Sequence, residues 1–178
     1  MFITKIKDMD ILKAATEWAE AELVSTPFFM LFGVLFMVAS AGFWQMGKTE
    51  IARAYIIPTL VAGALLLIIG LGLFFTNKSR ITQFETAYKN DKLAFVESEL
   101  VRAEATLKEY QNIVFKVIPF IIIACALGIV FLDKPIWRAS LITTIAMLVV
   151  ILLIDGTAHA RVDGYNQQLL QVEKELKN

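Results

Sequence analysis

LAFVESELVRAEATLKEYQNIVFKV, residues 93–117, is the stretch whose reading decides the fold. Leu93, Val96, Leu100, Ala103, Leu107, Tyr110, Val114 and Val117 recur at spacings of 3 and 4, an apolar seam of the kind that packs one helix along another. Glu97, Glu99, Arg102, Glu104, Lys108 and Glu109 fall between them, so the opposite side is hydrated, and Glu104 with Lys108 forms an i,i+4 pair of favourable polarity. After Lys116 the charges stop. The pattern predicts one continuous helix, water-facing in its first part and lipid-facing in its second, with its apolar periodicity unbroken across the boundary.

The rest of the composition agrees with a membrane location. Of 178 residues, 57% are hydrophobic and the mean hydropathy is +0.64, whereas soluble domains sit at about 45–50% apolar. The excess is concentrated in blocks: 24–47, 54–77, 117–132 and 139–154 contain no charged residue. A span needs about 20 mainly apolar residues. The two shorter blocks lengthen through Ile113–Phe115, beside a Lys116 able to snorkel, and through Trp137, an interfacial ring next to Arg138.

The chain therefore reads as an all-α, polytopic membrane protein. Its segments are an amphipathic N-terminal helix (1–26), a first span (27–46), a second (52–77), a helical hairpin (78–112), a third span (113–132), a fourth (137–155) and a C-terminal helix (156–178). The non-spanning segments form a helical-bundle or coiled-coil extension. Of the 17 lysines and arginines, only Lys48, Arg53, Lys134 and Arg138 lie in the two loops on one side, which puts both termini and the hairpin in the cytoplasm. Asp8, Asp10, Glu17, Glu20 and Glu22 precede the first apolar block, a pattern unlike a cleaved signal peptide, so the first span is expected to be retained. The location expected is a bacterial inner membrane.

Ile11, Leu12, Ala15, Trp18, Ala19 and Leu23 make an apolar stripe from about Met9 to Val24, with Asp8 or Asp10 as its cap. The polar face is acidic where an anionic membrane would favour a basic one, which favours packing on the extension over lying in the headgroups. Ser25, Thr26 and Pro27 are expected to end that helix, with Pro27 opening the first span. Pro58 is expected to kink the second span without ending it. Gly33, Gly63 and Gly70 mark close helix contacts. Asn90 and Asp91 turn the hairpin. Its return arm is longer than its outgoing arm and needs a further partner. Ala158, Val162, Tyr165, Leu169, Val172 and Leu176, at spacings of 4 and 3 after the fourth span, supply an antiparallel seam. The stalk interface is accordingly assigned to Leu93, Val96, Leu100, Ala103, Leu107 and Tyr110 against Val162, Tyr165, Leu169, Val172 and Leu176.

Residues carrying chemistry are few. Asp155, His159, Arg161 and Asp163 cluster at the end of the fourth span, and the i,i+4 spacing of Asp155 and His159 suits a pH-responsive site or half a metal site. The alternative, polar residues marking the membrane exit of a helix, is preferred. The string Asp155–Arg161 differs from the Asp-Gly-x-x-Ala-Arg core of CDP-alcohol phosphotransferases by an inserted residue and lacks the aspartates that complete the metal site there, so it is not assigned to that family. Thr143, Thr144, Ala124 and Gly128 are candidates for helix packing or a pore lining. The single cysteine, Cys125, rules out an intrachain disulfide. Zero formal net charge argues against nucleic acid.

No P-loop, zinc-protease, nucleophile-elbow or dinucleotide fingerprint occurs, and no catalytic residue, cofactor or metal is expected. The leading expectation is a non-enzymatic membrane subunit that contacts the lipid bilayer and assembles with itself or with a soluble cytoplasmic protein through its stalk. Bacterial defence, toxin immunity and secretion assemblies are contexts for such a subunit, and no residue selects among them. An oligomeric channel or membrane-perturbing effector is the alternative, and a lipid-acting enzyme comes third.

Overall fold

A computed structural model describes residues 2–177, with side chains from Ile11 onward. Asp8 and Asp10, expected to cap the first helix, lie outside the described side chains. The described residues form six α-helices and one π-helical segment, with no strand among them. They are α1 (Phe2–Met46), α2 (Glu50–Ala54), α3 (Ile56–Asn90), α4 (Lys92–Glu109), the π segment (Tyr110–Val117), α5 (Ile118–Phe131) and α6 (Pro135–Lys177).

Four helical stretches are long and apolar enough to cross a membrane. With 43 residues in α6, and about 1.5 Å per residue, that helix is about 65 Å long against a hydrocarbon layer of about 30 Å. Each long helix therefore continues well past its uncharged block. Large apolar side chains stay exposed along the blocks, among them Val38, Ile68, Phe120, Val130 and Leu153. So wide an exposed apolar surface is unfavourable in water and suits lipid contact. The chain is a membrane protein of four spanning helices.

Within the apolar blocks, α1 and α3 approach closely through glycines. A Cβ built on Gly33 would lie 2.7 Å from Leu67 Cγ, and one on Gly63 would lie 2.7 Å from the Gly33 carbonyl oxygen. Ser40 fixes the same pair by donating to the Ile56 carbonyl at 2.7 Å. Gly128 of α5 faces Leu141 of α6. Cys125 is buried, whereas neighbouring Ala124, read from sequence as a packing residue, is exposed.

At the charged end, parts of α1, α3, α4 and α6 share one core of Ile11, Ala15, Trp18, Ala19, Phe84, Phe95, Val96, Ala103, Val162, Tyr165 and Leu169. Val96, Val162 and Leu169 are at most 1% exposed, and each such side chain contributes about 1.5–3 kcal/mol relative to exposure. The two seams thus pair within one chain. Ring contact of Tyr110 with His159, the Tyr165–Glu99 hydrogen bond and the Lys177–Glu97 ion pair run in opposite order along α6 and along α4 with the start of the π segment, as antiparallel packing requires. The hairpin turns at Asp91, whose carboxylate accepts from the Ala94 N–H at 2.9 Å and caps α4.

Four expectations need correction. First, α1 does not stop at Ser25–Pro27 but runs through Pro27. Pro27 lacks the N–H that would bond the Leu23 carbonyl, and Thr26 Oγ1 donates to that carbonyl instead, at 2.9 Å. Second, the distortion expected at Pro58 falls at Tyr55, between α2 and α3, within a span, Glu50–Asn90, that continues across it as expected. Pro58 cannot donate to the Ala54 carbonyl, so the Tyr55 N–H bonds Ala52 and the Thr59 N–H bonds Tyr55 around the gap.

Third, the periodicity of residues 93–117 is not unbroken. Tyr110–Val117 is π-helical, and the Ile118 N–H reaches back to the Ile113 carbonyl. Pro119, which removes the donor an α-helix would aim at the Phe115 carbonyl, follows directly. The wider turn shifts the buried position from Val117, which is 43% exposed, to Ile118, which is 6% exposed. Fourth, Leu93 is 38% exposed and lies outside the core. The buried face begins at Phe95 and Val96, because Phe84 and Tyr88 of α3 pack edge-on against the Phe95 ring and rotate the interface by a fraction of a turn.

Candidate functional site

A cavity of about 620 Å³ lies where the apolar blocks meet the charged bundle. Its polar wall carries Trp18, Glu22, Ser25, Thr26, Asn77, Arg80, Glu109, Tyr110 and Asp155, and its apolar wall includes Phe29, Ile69, Leu73, Ile113, Val114, Ile151 and Ile154. Every long helix contributes a side chain within a few residues of the end of its uncharged block. That shared depth makes these distant stretches of sequence neighbours.

Glu22 is held by Arg161, whose Nη2 and Nε donate to Oε1 at 3.1 and 3.3 Å, and the same Nη2 donates to Ser25 Oγ at 2.6 Å. Burial raises the Glu22 carboxyl above its ordinary range despite the opposing pull of Arg161 and Arg80. Arg80 donates to Asn77 Oδ1 at 3.1 Å, and burial lowers its pKa. Below the cavity, the Trp18 ring stacks on Tyr165 at 5.1 Å, with the guanidinium groups of Arg80 and Arg102 6.0 and 5.7 Å from it. Trp18 is 7% exposed, and its indole Nε1 has no hydrogen-bond partner among the described residues. Burial, then repulsion from Arg80, lowers Arg102 to about 10, still cationic at neutral pH, and Arg102 pairs with buried Glu99.

The residues grouped by sequence at the end of the fourth span go separate ways. Asp155 lines the cavity. His159 packs its ring edge-on against Tyr110 and Phe115, at 5.7 and 5.2 Å. Arg161 turns to Glu22, and Asp163 is exposed, accepting from Gln167 at 3.2 Å. Among the described residues, no three His, Cys, Asp or Glu side chains converge as metal ligands. Thr143 is buried and, with Thr144 and Ser140, lines a second crevice of about 410 Å³ between α3 and α6 whose other walls are apolar.

Sequence reasoning missed Glu22, Asn77 and Arg80 as residues lining one cavity with Asp155. The available signal was their position: each stands close to the end of an uncharged block on the side that carries most of the lysines and arginines. These features define a four-span, all-helical membrane protein with a mixed polar and apolar cavity at one end of its spans. No family model matches the chain, and comparison with curated proteins and with solved structures found no match.

Proposed function

We propose that this chain is a non-enzymatic membrane subunit that docks a soluble protein through the outer faces of its charged bundle. The observation carrying this reading is that the bundle core is closed within one chain: Val96, Ala103, Val162, Tyr165 and Leu169 are already buried against one another. The seams are therefore spent on folding, and the outward side of α4, with Glu97, Val101, Glu104 and Lys108, is what remains for recognition. Val101 is 69% exposed at the middle of that side. The excess of lysines and arginines flanking the spans at this end supports a cytoplasmic position for the bundle and both termini, and a bacterial inner membrane is the proposed setting.

A photoreactive residue at Val101, activated in native membranes, tests the reading. One discrete adduct with a soluble protein supports docking. An adduct between two copies of the chain redirects the reading to self-assembly, and no adduct overturns both. The channel alternative draws on the Ser140, Thr143 and Thr144 crevice and requires several copies around a shared axis. A closed monomer by native mass in detergent, without conductance in planar bilayers, removes it.

A further inference from the structure

The 620 Å³ cavity is within the roughly 300–1,000 Å³ range of small-molecule sites, and its polar groups are incompletely used. Asp155 forms no hydrogen bond or ion pair with the described residues, although Glu22, beside it, is held by Arg161. Among the described residues Arg80 donates to one side chain, the neutral Asn77, and its guanidinium is attracted to Glu22, which Arg161 already holds. The wall therefore asks for a ligand with a donor at Asp155 and an acceptor near Arg80. Ile69, Leu73 and Ile113, on the apolar wall, are 37%, 39% and 52% exposed and belong to the surface that suits lipid. A ligand able to use this wall carries an acyl chain.

Charge narrows the headgroup. Glu22, Glu109 and Asp155 are the acidic lining residues and Arg80 is the basic one, so a purely anionic headgroup meets excess negative charge. We propose that the cavity seats the headgroup and upper acyl region of a zwitterionic phospholipid bearing a primary ammonium. The ammonium donates to Asp155, the phosphodiester accepts from Arg80, and the chain lies along Phe29, Leu73 and Ile151. A quaternary ammonium, with no N–H, cannot make the first contact. The site is independent of the docking reading, because lipid retention and adducts at Val101 are measured separately.

The test uses the full chain reconstituted with equal mole fractions of phosphatidylethanolamine, phosphatidylcholine and phosphatidylglycerol, followed by native mass spectrometry. Preferential retention of phosphatidylethanolamine is expected. Asp155→Asn is expected to reduce that preference about tenfold, the worth of one charge-assisted hydrogen bond. Excess glycerophosphoethanolamine, which has no acyl chain, is expected not to displace the lipid. Displacement by it would show a soluble headgroup site and overturn the lipid assignment. Equal retention of the three lipids, preference for phosphatidylglycerol, or an unchanged preference in Asp155→Asn would also overturn it. Should Asp155→Asn not fold, Trp18 supplies a second readout in a chain carrying Trp44→Phe and Trp137→Phe. Its emission is expected to be quenched more by phosphatidylethanolamine with brominated chains than by the brominated choline lipid, and equal quenching would refute the proposal.

Discussion

The Tyr165 hydroxyl donates to Oε2 of Glu99 at 3.0 Å inside the bundle, tying α6 to α4 across 66 positions of sequence. Glu99 is 3% exposed and also pairs with Arg102, one turn along its own helix. Removing either partner has an unequal effect. Tyr165→Phe keeps the ring stack on Trp18 and loses one hydrogen bond, at a cost of about 1 kcal/mol. Glu99→Ala leaves Arg102 without its carboxylate and costs about 3 kcal/mol. Unfolding of both variants in detergent measures the difference, and equal losses would contradict the geometry.

Glu22 gives a pH dependence with a definite sign. Its carboxyl is raised above 4.5, first by burial, so folding favours its neutral form. The stability associated with that form is present below 4.5 and is lost as pH rises through the raised value. Glu22→Gln stays neutral and still accepts from Arg161. It is expected to match or exceed the native chain by up to about 1 kcal/mol at neutral pH, with the gain disappearing in acid. Melting temperatures of the two chains across that range are the measurement.

Gly63 and Gly72 lie on one helix with opposite surroundings. A Cβ on Gly63 collides with the Gly33 carbonyl, whereas one on Gly72 meets nothing within 4 Å. Gly63→Ala is expected to cost about 1–3 kcal/mol by forcing α1 and α3 apart. Gly72→Ala is expected to be neutral or to stabilise by up to about 1 kcal/mol through helix propensity. Thermal unfolding in one detergent compares them.

Thr26 and Pro27 form a coupled pair. Thr26→Val removes the donor to the Leu23 carbonyl and is expected to cost about 1 kcal/mol in the native background. In Pro27→Ala the backbone N–H at that position is restored, and Thr26→Val should then cost much less. A double-mutant cycle with a coupling of about 1 kcal/mol is the expected result.

The sequence carried the elements that depend on local pattern. Uncharged length marked four spans, and the 3-and-4 spacing placed Val96, Ala103, Val162, Tyr165 and Leu169 on inward faces that the bundle does bury. The same pattern misplaced Leu93 and Val117, because spacing assumes an ideal helix. Aromatic packing at Phe95 rotates one end of the seam, and the π segment before Pro119 rephases the other. In sequence, Ser25, Thr26 and Pro27 mark a helix boundary because proline suits a first helical position, while the rescue of the Leu23 carbonyl by Thr26 depends on side-chain geometry.

For the cavity the division is sharper. The sequence by itself determined that Glu22, Arg80, Tyr110 and Asp155 sit near the ends of apolar blocks, since charge and hydropathy are properties of each residue. Only the tertiary structure decided that they share one wall, that Arg161 turns from its sequence neighbours to Glu22, and that Asp155 has no hydrogen bond or ion pair among the described residues. Helix spacing reports which residues share a face of one rod. Which faces meet depends on how four rods pack, and that follows from close contacts such as Gly33 on Gly63 rather than from any local run of residues.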